Sequence, residues 1–199
     1  MTQVPPRRVP LPDHAAILDR VGGYRDTSRR GRPAQIEQPQ AGQRSVWDFP
    51  RPPAVEQVPQ RVRVVFAGET IADSRGALRI IETAGAPVYY LPPADVRLDC
   101  LDPTDTTSLC EWKGVAVYFD VRAGGRRAPD AAFSYPDPLQ DLGQGYERVA
   151  DYVGFYAQKM DACYVGDEQV VPQPGGFYAG WVSSDLTGPI KGEPGSEGW

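Results

Sequence analysis

The sequence is 199 residues long and 41% hydrophobic, with a net charge of −5 and an isoelectric point near 5.0. This length and apolar content predict one domain with a single core, and the acidic balance argues against a nucleic-acid partner because no basic field attracts phosphate backbones. No apolar run approaches the roughly 20 residues that span a bilayer, and the N-terminus lacks the apolar stretch of a secretion signal, so we expect a cytoplasmic protein without a membrane partner.

The first 45 residues differ in composition from the rest. They carry eight arginines and four acidic residues, a net charge of +4, whereas residues 46–199 carry a net charge of −9. This leader is rich in Pro, Gly and Gln, which is typical of disordered chain. In "DHAAILDRV", Asp13 is placed to cap a short helix with Ala16, Ile17 and Val21 on one side. We expect this helix to dock weakly or not at all.

Strand patterns dominate from residue 46 onward. Trp47 and Phe49 in "SVWDFPRPP" are costly to leave in water, so ordered structure is expected to begin there. In "RVRVVFAGETIADS", Val62, Val64 and Phe66 alternate with other residues before a glycine turn, which predicts a β-hairpin. Further strands are predicted in "ALRIIET", "APVYYLPP", "GVAVYFDV" and "AAFSYP".

The C-terminal third gives a mixed pattern. The stretch "DPLQDLGQGYERVADYVGFYAQKMDACYV" fits both helix and strand periodicity, and both alternatives stay open. The last segment is rich in glycine and aromatic residues and predicts a wrap over the sheet, anchored by Phe177, Tyr178 and Trp181. The predicted fold is therefore mainly β: one compact, sheet-rich domain over residues 46–199 with short helical segments, preceded by a disordered leader at 1–45.

Five segments occur in a characteristic order. They are "SVWDFPRPPAVEQVPQRVRVVFAGETIADSRGALRIIETAGAPVYYLPPADV", "CEWKGVAVYFDV", "AAFSYPDP", "YVGFY" and the closing "PGGFYAGWV" with "GPIKGEPGSEGW". Together they resemble the bacterial family known as domain of unknown function 427, over roughly residues 45 to 199. The resemblance implies a mostly β single domain and suggests a tent-like β fold. The family is sometimes catalogued as nucleotidyltransferase-like, without a settled activity. Its cysteine is often followed by proline, whereas Glu111 follows Cys110 here.

The nucleotidyltransferase-like alternative needs carboxylates that converge on magnesium and donors around a triphosphate. The sequence has neither the Gly-Ser pair with alternate aspartates of polymerase-like enzymes nor a P-loop or GxGxxG motif. Asp99, Asp102 and Asp105 in "VRLDCLDPTD" lie three residues apart in a predicted loop, which suits either a cation or a solvated acidic turn. Nucleotidyl transfer is therefore an alternative rather than the main prediction.

The three cysteines, Cys100, Cys110 and Cys163, form an odd set without a CxxC pair. This pattern predicts reduced thiols, although a bridge between Cys100 and Cys110 stays open. A zinc site uses closely paired Cys and His ligands, and the single histidine, His14, lies in the leader. We therefore expect no metal and no other cofactor.

Cys110 and Lys113 in "SLCEWKG" are the candidate catalytic residues. A neighbouring cation activates a thiol, but Glu111 opposes Lys113, and free cysteine is commonly a buried core residue. We expect Lys113 at the rim of a pocket with Cys110 packed behind it. A Cys110 closed in an apolar shell would favour a binding module, whereas an exposed Cys110 near Lys113 and facing a cleft would favour a thiol-dependent enzyme.

The candidate ligand-binding residues are Glu82, Tyr90, Lys113, Tyr118 and Tyr135. A lysine among tyrosines, with Tyr89 as a further wall, suits a small planar or anionic, nucleotide-like ligand. Ordinary packing between strands explains the tyrosines equally well. The sequence gives no prediction of the ligand's identity or of the oligomeric state.

Overall fold

Strands make up most of the regular structure in the computed structural model, which describes residues 5–28 and 30–199. The strands are β1 (Arg44–Ser45), β2 (Ala54–Gln57), β3 (Val62–Phe66), β4 (Glu69–Ser74), β5 (Leu78–Ile81), β6 (Val88–Tyr90), β7 (Leu101–Cys110), β8 (Gly114–Ala123), β9 (Arg126–Ser134), β10 (Val153–Phe155), β11 (Ala162–Val165), β12 (Glu168–Gln169), β13 (Val171–Pro172), β14 (Trp181–Val182) and β15 (Leu186–Thr187). The helix α1 (His14–Val21) lies in the leader, and short 3-10 turns cover Gly22–Arg25, Val46–Asp48, Pro93–Asp95, Leu98–Cys100, Tyr146–Val149 and Ala157–Lys159. The prediction of a mainly β fold is confirmed.

Two four-stranded sheets enclose the main core. Their strand orders are β10-β9-β8-β7 and β12-β11-β3-β4, and a three-stranded sheet β2-β5-β6 lies beside the first, joined to it by a bridge between Leu91 and Val153. The pairs β1–β15 and β13–β14 complete the set. Val64 of β3 and Phe119 of β8 belong to the same buried cluster, which places the core between these two sheets.

The predicted hairpin is formed by β3 and β4. Val62, Val64 and Phe66 are at most 2% exposed, and the residues between them are half-buried, as the alternation predicts. Ala67 and Gly68 form the turn with φ of 53° and 76°. Positive φ at both central residues is the geometry that matches the twist of paired strands.

Two further stretches can now be compared with their predictions. The segment that fitted both helix and strand contains β10, β11 and two 3-10 turns, and no α-helix. The prediction of an acidic loop in "VRLDCLDPTD" is wrong for the second half of this stretch, which belongs to β7. The pairing of β7 with β8 shifts in register between Pro103 and Thr107, where proline donates no hydrogen bond to the neighbouring strand. Asp102 forms an ion pair with Arg122 across the strands. Within residues 5–28 and 30–199, no group of three His, Cys, Asp or Glu side chains is arranged to hold a metal.

The helix α1 packs against the β-body. Its predicted cap is present: the Asp13 carboxylate accepts a hydrogen bond from the Ala16 amide at 2.8 Å. Ile17 and Val21 are 2% and 0% exposed and share a cluster with Val115 of β8. The structure therefore differs from the expectation of weak or absent docking, because β8 offers an apolar patch to this helix. The division at residue 45 and the flexibility of the other leader residues stay predictions.

The aromatic anchors are only partly those expected. Trp47 and Phe49 are buried, as predicted for the start of the ordered body. Trp181 is fully buried and stacks on Tyr89 with ring centroids 4.9 Å apart, so Tyr89 belongs to the core and is not a pocket wall. Phe177 is 77% exposed, and its predicted role as an anchor is wrong. In the described part of the chain, no helix has the length and apolar character that crossing a bilayer requires.

Candidate functional site

A cavity of about 580 Å³ opens where β5 and β6 meet β7, β8 and β9. Further walls come from the loop at residues 173–179 and from single residues of the leader and the C-terminal segment. All of the residues predicted to bind a ligand or to act as catalysts line this one cavity, namely Glu82, Tyr90, Cys110, Lys113, Tyr118 and Tyr135. The structure thus brings the predicted site residues together, although their binding role stays a prediction.

Strand alternation explains how the aromatic side chains reach the cavity. Successive residues of a strand point to opposite faces, so Tyr90 of β6 faces the cavity while Tyr89 faces the core. On β8, Tyr118 lies opposite to the core residue Phe119 and pairs in register with Phe133 of β9, which also lines the cavity. The cavity is therefore built on the second face of the same strands that form the core.

Cys110 and Lys113 are brought together by the β7–β8 hairpin. Cys110 ends β7 and pairs in register with Gly114, the first residue of β8, which has a φ of 88°. This tight connection folds Lys113 back, and its Nζ donates a hydrogen bond to the Cys110 Sγ at 3.3 Å. Lys113 is only 8% exposed and Cys110 is half-buried. The expected arrangement, with a rim lysine in front of a packed thiol, therefore differs from the observed one, in which both side chains line the cavity.

Lys113 carries a charge in a largely enclosed place. Its Nζ lies 5.2 Å from the centroid of the Tyr135 ring, a cation–π arrangement. Burial lowers the pKa of Lys113, but the negative charges that Cys110, Tyr135, Tyr90 and Glu82 carry in the alkaline range where Lys113 titrates together outweigh burial and raise that pKa well above its ordinary value. Lys113 is therefore an ammonium group at neutral pH.

Two buried phenols stay protonated beside this ammonium. Burial raises the pKa of Tyr90 to about 12 and that of Tyr135 well above its ordinary value, against the smaller opposing effect of Lys113. Tyr90 is 1% and Tyr135 is 6% exposed, and neither hydroxyl is hydrogen-bonded to a residue of the described ranges 5–28 and 30–199. Neither hydroxyl oxygen is among the fully buried polar atoms that lack a hydrogen-bond partner. Both hydroxyls are therefore donors that open into the cavity.

A second set of hydroxyls forms a row along another wall. The Tyr118 hydroxyl lies 2.9 Å from the Ser108 Oγ and 3.3 Å from the Tyr156 hydroxyl. The rings of Tyr118 and Tyr156 are nearly parallel, at an interplanar angle of 22°. This wall presents flat aromatic faces together with polar edges.

Cations are concentrated around the cavity. The sequence contains three lysines, and all three line it. The charged lining residues comprise the cations Arg30, Arg51, Lys113, Lys159 and Lys191 and the carboxylates Glu82, Glu111 and Asp130. Arg51 pairs with Glu82 at 2.9 Å and Arg30 pairs with Glu111 at 3.1 Å. The cavity thus has more positive than negative groups within an acidic protein.

Several lining residues were missed by sequence reasoning. Arg30 lies in the leader that was predicted to be disordered, and Phe133, Tyr156 and Lys191 were not singled out. The scarcity of lysine was a signal that the sequence offered, because three lysines among 21 basic residues is a biased use of cations. The three cysteines are free thiols in the structure.

Comparison with known families agrees with the resemblance noted from the sequence. Residues 54–166 match the family NTP_transf_9, described as Domain of unknown function (DUF427). No curated protein matches the chain. The matched range contains Tyr90, Tyr118, Tyr135 and the turn from Cys110 to Lys113, whereas Lys191 lies outside it. The predicted family is confirmed, and this chain belongs to the family of domain of unknown function DUF427.

Proposed function

We propose that the cavity binds a small planar molecule that carries an anionic group, a class that includes nucleotides. The observation that carries this proposal is the placement of all three lysines of an acidic chain around one cavity. Lys113 is 8% exposed, so a bound anion would interact with its ammonium with little screening by water. The volume of about 580 Å³ falls within the range of small-molecule sites.

The walls of the cavity support a planar ligand. Phe133 lies 5.5 Å from Tyr156 and 6.1 Å from Tyr118, measured between ring centroids. Such ring clusters present flat apolar faces, on which a planar ring packs in offset or edge-to-face contact. The ammonium of Lys113 supplies the charge at the enclosed end, and the hydroxyls of Tyr90 and Tyr135 add donors there.

We place this activity in the cytoplasm and assign it a small-molecule partner rather than a nucleic acid. Free thiols persist in reducing compartments, and Cys100, Cys110 and Cys163 are all free. The cations converge inside a cavity, whereas the protein as a whole is acidic, and this disfavours an extended phosphate backbone.

A thermal-shift screen tests the proposal. Aromatic carboxylates, nucleotides and nucleoside triphosphates are compared on the wild type, on Lys113→Met and on the control Arg63→Met. Arg63 lies over the Tyr164 ring, outside the cavity lining, so its loss removes an equal charge elsewhere. A ligand at a hundredfold excess over its Kd stabilises the folded state by about 2.7 kcal/mol. We expect at least one stabilising compound, with an effect that is lost in Lys113→Met and kept in Arg63→Met.

A second candidate function, a thiol-dependent enzyme, is favoured by one contact. Cys110 is half-buried, lines the cavity and lies 3.3 Å from the Lys113 Nζ. An ammonium within hydrogen-bond distance favours the ionised, nucleophilic form of a thiol. Rapid alkylation of Cys110 by iodoacetamide in the folded protein, slowed in Lys113→Met, would support this candidate. The nucleotidyltransferase-like alternative requires that nucleoside triphosphates stabilise the protein in the same thermal-shift screen.

A further inference from the structure

We infer that Cys110 is a nucleophile that becomes acylated by an activated acyl compound, with the hydroxyls of Tyr90 and Tyr135 holding the oxyanion. The substrate class is an ester or thioester of a planar carboxylic acid. This inference rests on the proposed function, since the same cavity must first bind the acyl group. It goes further by naming a reaction, a reacting atom and two donors.

The hydroxyls of Tyr90 and Tyr135 are donors without acceptors among the described residues. Tyr90 and Tyr135 are at least nine-tenths buried, line the same cavity as Cys110 and make no hydrogen bond within the described ranges. A fixed donor in an enclosed site stabilises negative charge that develops during a reaction, since little reorganisation is needed. A carbonyl oxygen gains such charge when a nucleophile adds to its carbon. Two such donors in the same cavity as Cys110 therefore suit acyl transfer better than alkyl transfer, which forms no oxyanion.

The Cys110 thiolate adds to the carbonyl carbon, so a carbon–sulfur bond forms and the π pair moves to the oxygen. The oxyanion accepts hydrogen bonds from Tyr90 and Tyr135. When the carbonyl re-forms, the bond to the leaving group breaks, and the leaving group takes its electron pair and a proton from the Lys113 ammonium. The products are a thioester on Cys110, a neutral Lys113 amine and the released alcohol or thiol.

The second half of the reaction restores the site. An acceptor, such as water or an amine, adds to the thioester carbonyl and gives its proton to the neutral Lys113 amine. The bond to sulfur then breaks, and Cys110 leaves as a thiolate. The net change is transfer of the acyl group from the leaving group to the acceptor.

The environment of Lys113 changes in the direction that this scheme requires. Burial lowers the pKa of Lys113, and the charge of Cys110 is the first of the effects that raise it. Acylation removes that charge but leaves Lys113 buried. The pKa of Lys113 therefore falls once the thioester begins to form, so that its proton becomes easier to release.

The test uses two probes on the full chain. p-Nitrophenyl benzoate is an activated aryl ester, and iodoacetamide alkylates a thiol without forming an oxyanion. We expect a stoichiometric burst of p-nitrophenol, read as the coloured anion that it forms in the buffer, and the mass of one benzoyl group on Cys110, both absent in Cys110→Ala. Tyr90→Phe and Tyr135→Phe are expected to slow acylation by about a hundredfold each. Alkylation by iodoacetamide is expected to keep its wild-type rate in these two variants and to slow in Lys113→Met.

The phenylalanine variants are suitable because they remove only a hydroxyl that has no partner, so their folding is expected to match the wild type. Cys163→Ala is the matched thiol control, since Cys163 is 2% exposed and lies outside the lining. Acylation at another residue, the absence of acylation, or unchanged acylation in both phenylalanine variants would overturn the inference. If acylation fails while benzoate still stabilises the protein through Lys113, the proposed binding function stands alone. If benzoate and every other screened anion fail as well, both are wrong.

Discussion

Gly154 in the segment "YVGFY" leaves space for a wall of the cavity. It pairs in register with Phe133 of the neighbouring strand β9. A Cβ atom at position 154 would lie 2.5 Å from Cζ of the Phe133 ring and 2.9 and 3.0 Å from its two Cε atoms. Carbon atoms that do not share a bond prefer about 3.5–4.0 Å. Gly154→Ala therefore forces the ring of Phe133 to move, and this ring lines the cavity.

The magnitude follows from the cost of overpacking a filled space, about 1–3 kcal/mol. The sign of the change in unfolding free energy is informative. At a position that can accept a Cβ atom, replacing glycine by alanine stabilises a protein by about 0.4–1 kcal/mol, because it reduces the conformational entropy of the unfolded chain. At about 2–4 °C per kcal/mol for a chain of this size, the melting temperature should fall by several degrees. Gly23→Ala is the matched control, since a Cβ there meets nothing within 4 Å.

Denaturant unfolding of four proteins gives the measurement: the wild type, Gly154→Ala, Phe133→Leu and the double variant. If the clash with the ring is the cause, Gly154→Ala costs much less in the Phe133→Leu background, giving a coupling energy of about 1–2 kcal/mol. Any anion found to bind in the cavity should also bind Gly154→Ala more weakly. An unfolding free energy equal to the wild type, or an equal loss in both backgrounds, would refute the steric argument.

Three further outcomes are expected. Ile17→Ala lowers the unfolding free energy by about 2–4 kcal/mol, because Ile17 is 2% exposed. Asp19 lies on the same helix and is exposed, so Asp19→Ala changes the unfolding free energy by less than about 0.5 kcal/mol. Equal values for the two variants would mean that α1 does not dock in solution. Burial raises the pKa of Tyr90 from 10.0 to about 12, so the unfolded chain releases the Tyr90 proton at a lower pH than the folded protein does. The contribution of this protonated tyrosine to the unfolding free energy is therefore complete below pH 10, and about 2–3 kcal/mol of it is lost by pH 12. Unfolding measured across this range should show a shallower decline in Tyr90→Phe, and an unchanged decline would count against the assignment. Cys163 is 2% exposed and its pKa is raised by burial, so its alkylation should follow the rate of unfolding in urea; rapid labelling of the native protein at Cys163 would contradict its burial.

The alternation of apolar and polar residues made the β-strands predictable. It did not predict what lies against the face of each strand that points away from the core. The pattern of β8 correctly identifies its core residues, since Val117 and Phe119 are buried. The other face carries Tyr118, and a tyrosine suits solvent, a neighbouring sheet or a cavity equally. The same limit applies to the pair Tyr89 and Tyr90. Alternation requires them to face opposite sides, yet only the position of Trp181, far along the chain, decides which one is enclosed by the core.

Composition predicted a disordered leader and did not predict its contacts with the body. A Pro- and Arg-rich segment buries little surface by itself, so its fate depends on what the body offers. Here the body offers Val115 and Leu139 to α1, and Glu111 to Arg30. These partners are more than 80 residues away in sequence. Local propensity contains no information on such pairings, and the charge difference between leader and body predicts attraction without predicting where it acts.

The use of lysine and arginine in this chain separates two tasks for positive charge. Arginines form the paired contacts between strands, as in Arg79 with Glu56 and Arg127 with Asp120, because a planar guanidinium matches a carboxylate and keeps its charge in any surroundings. Lysine is a compact ammonium whose pKa responds to burial and to nearby charge. All three lysines line the cavity, and the most enclosed of them, Lys113, contacts Cys110, which lines it as well. In the acylation scheme proposed above, the group at this contact must release and recover a proton as well as carry charge, a task that suits lysine and not arginine, because a guanidinium keeps its proton.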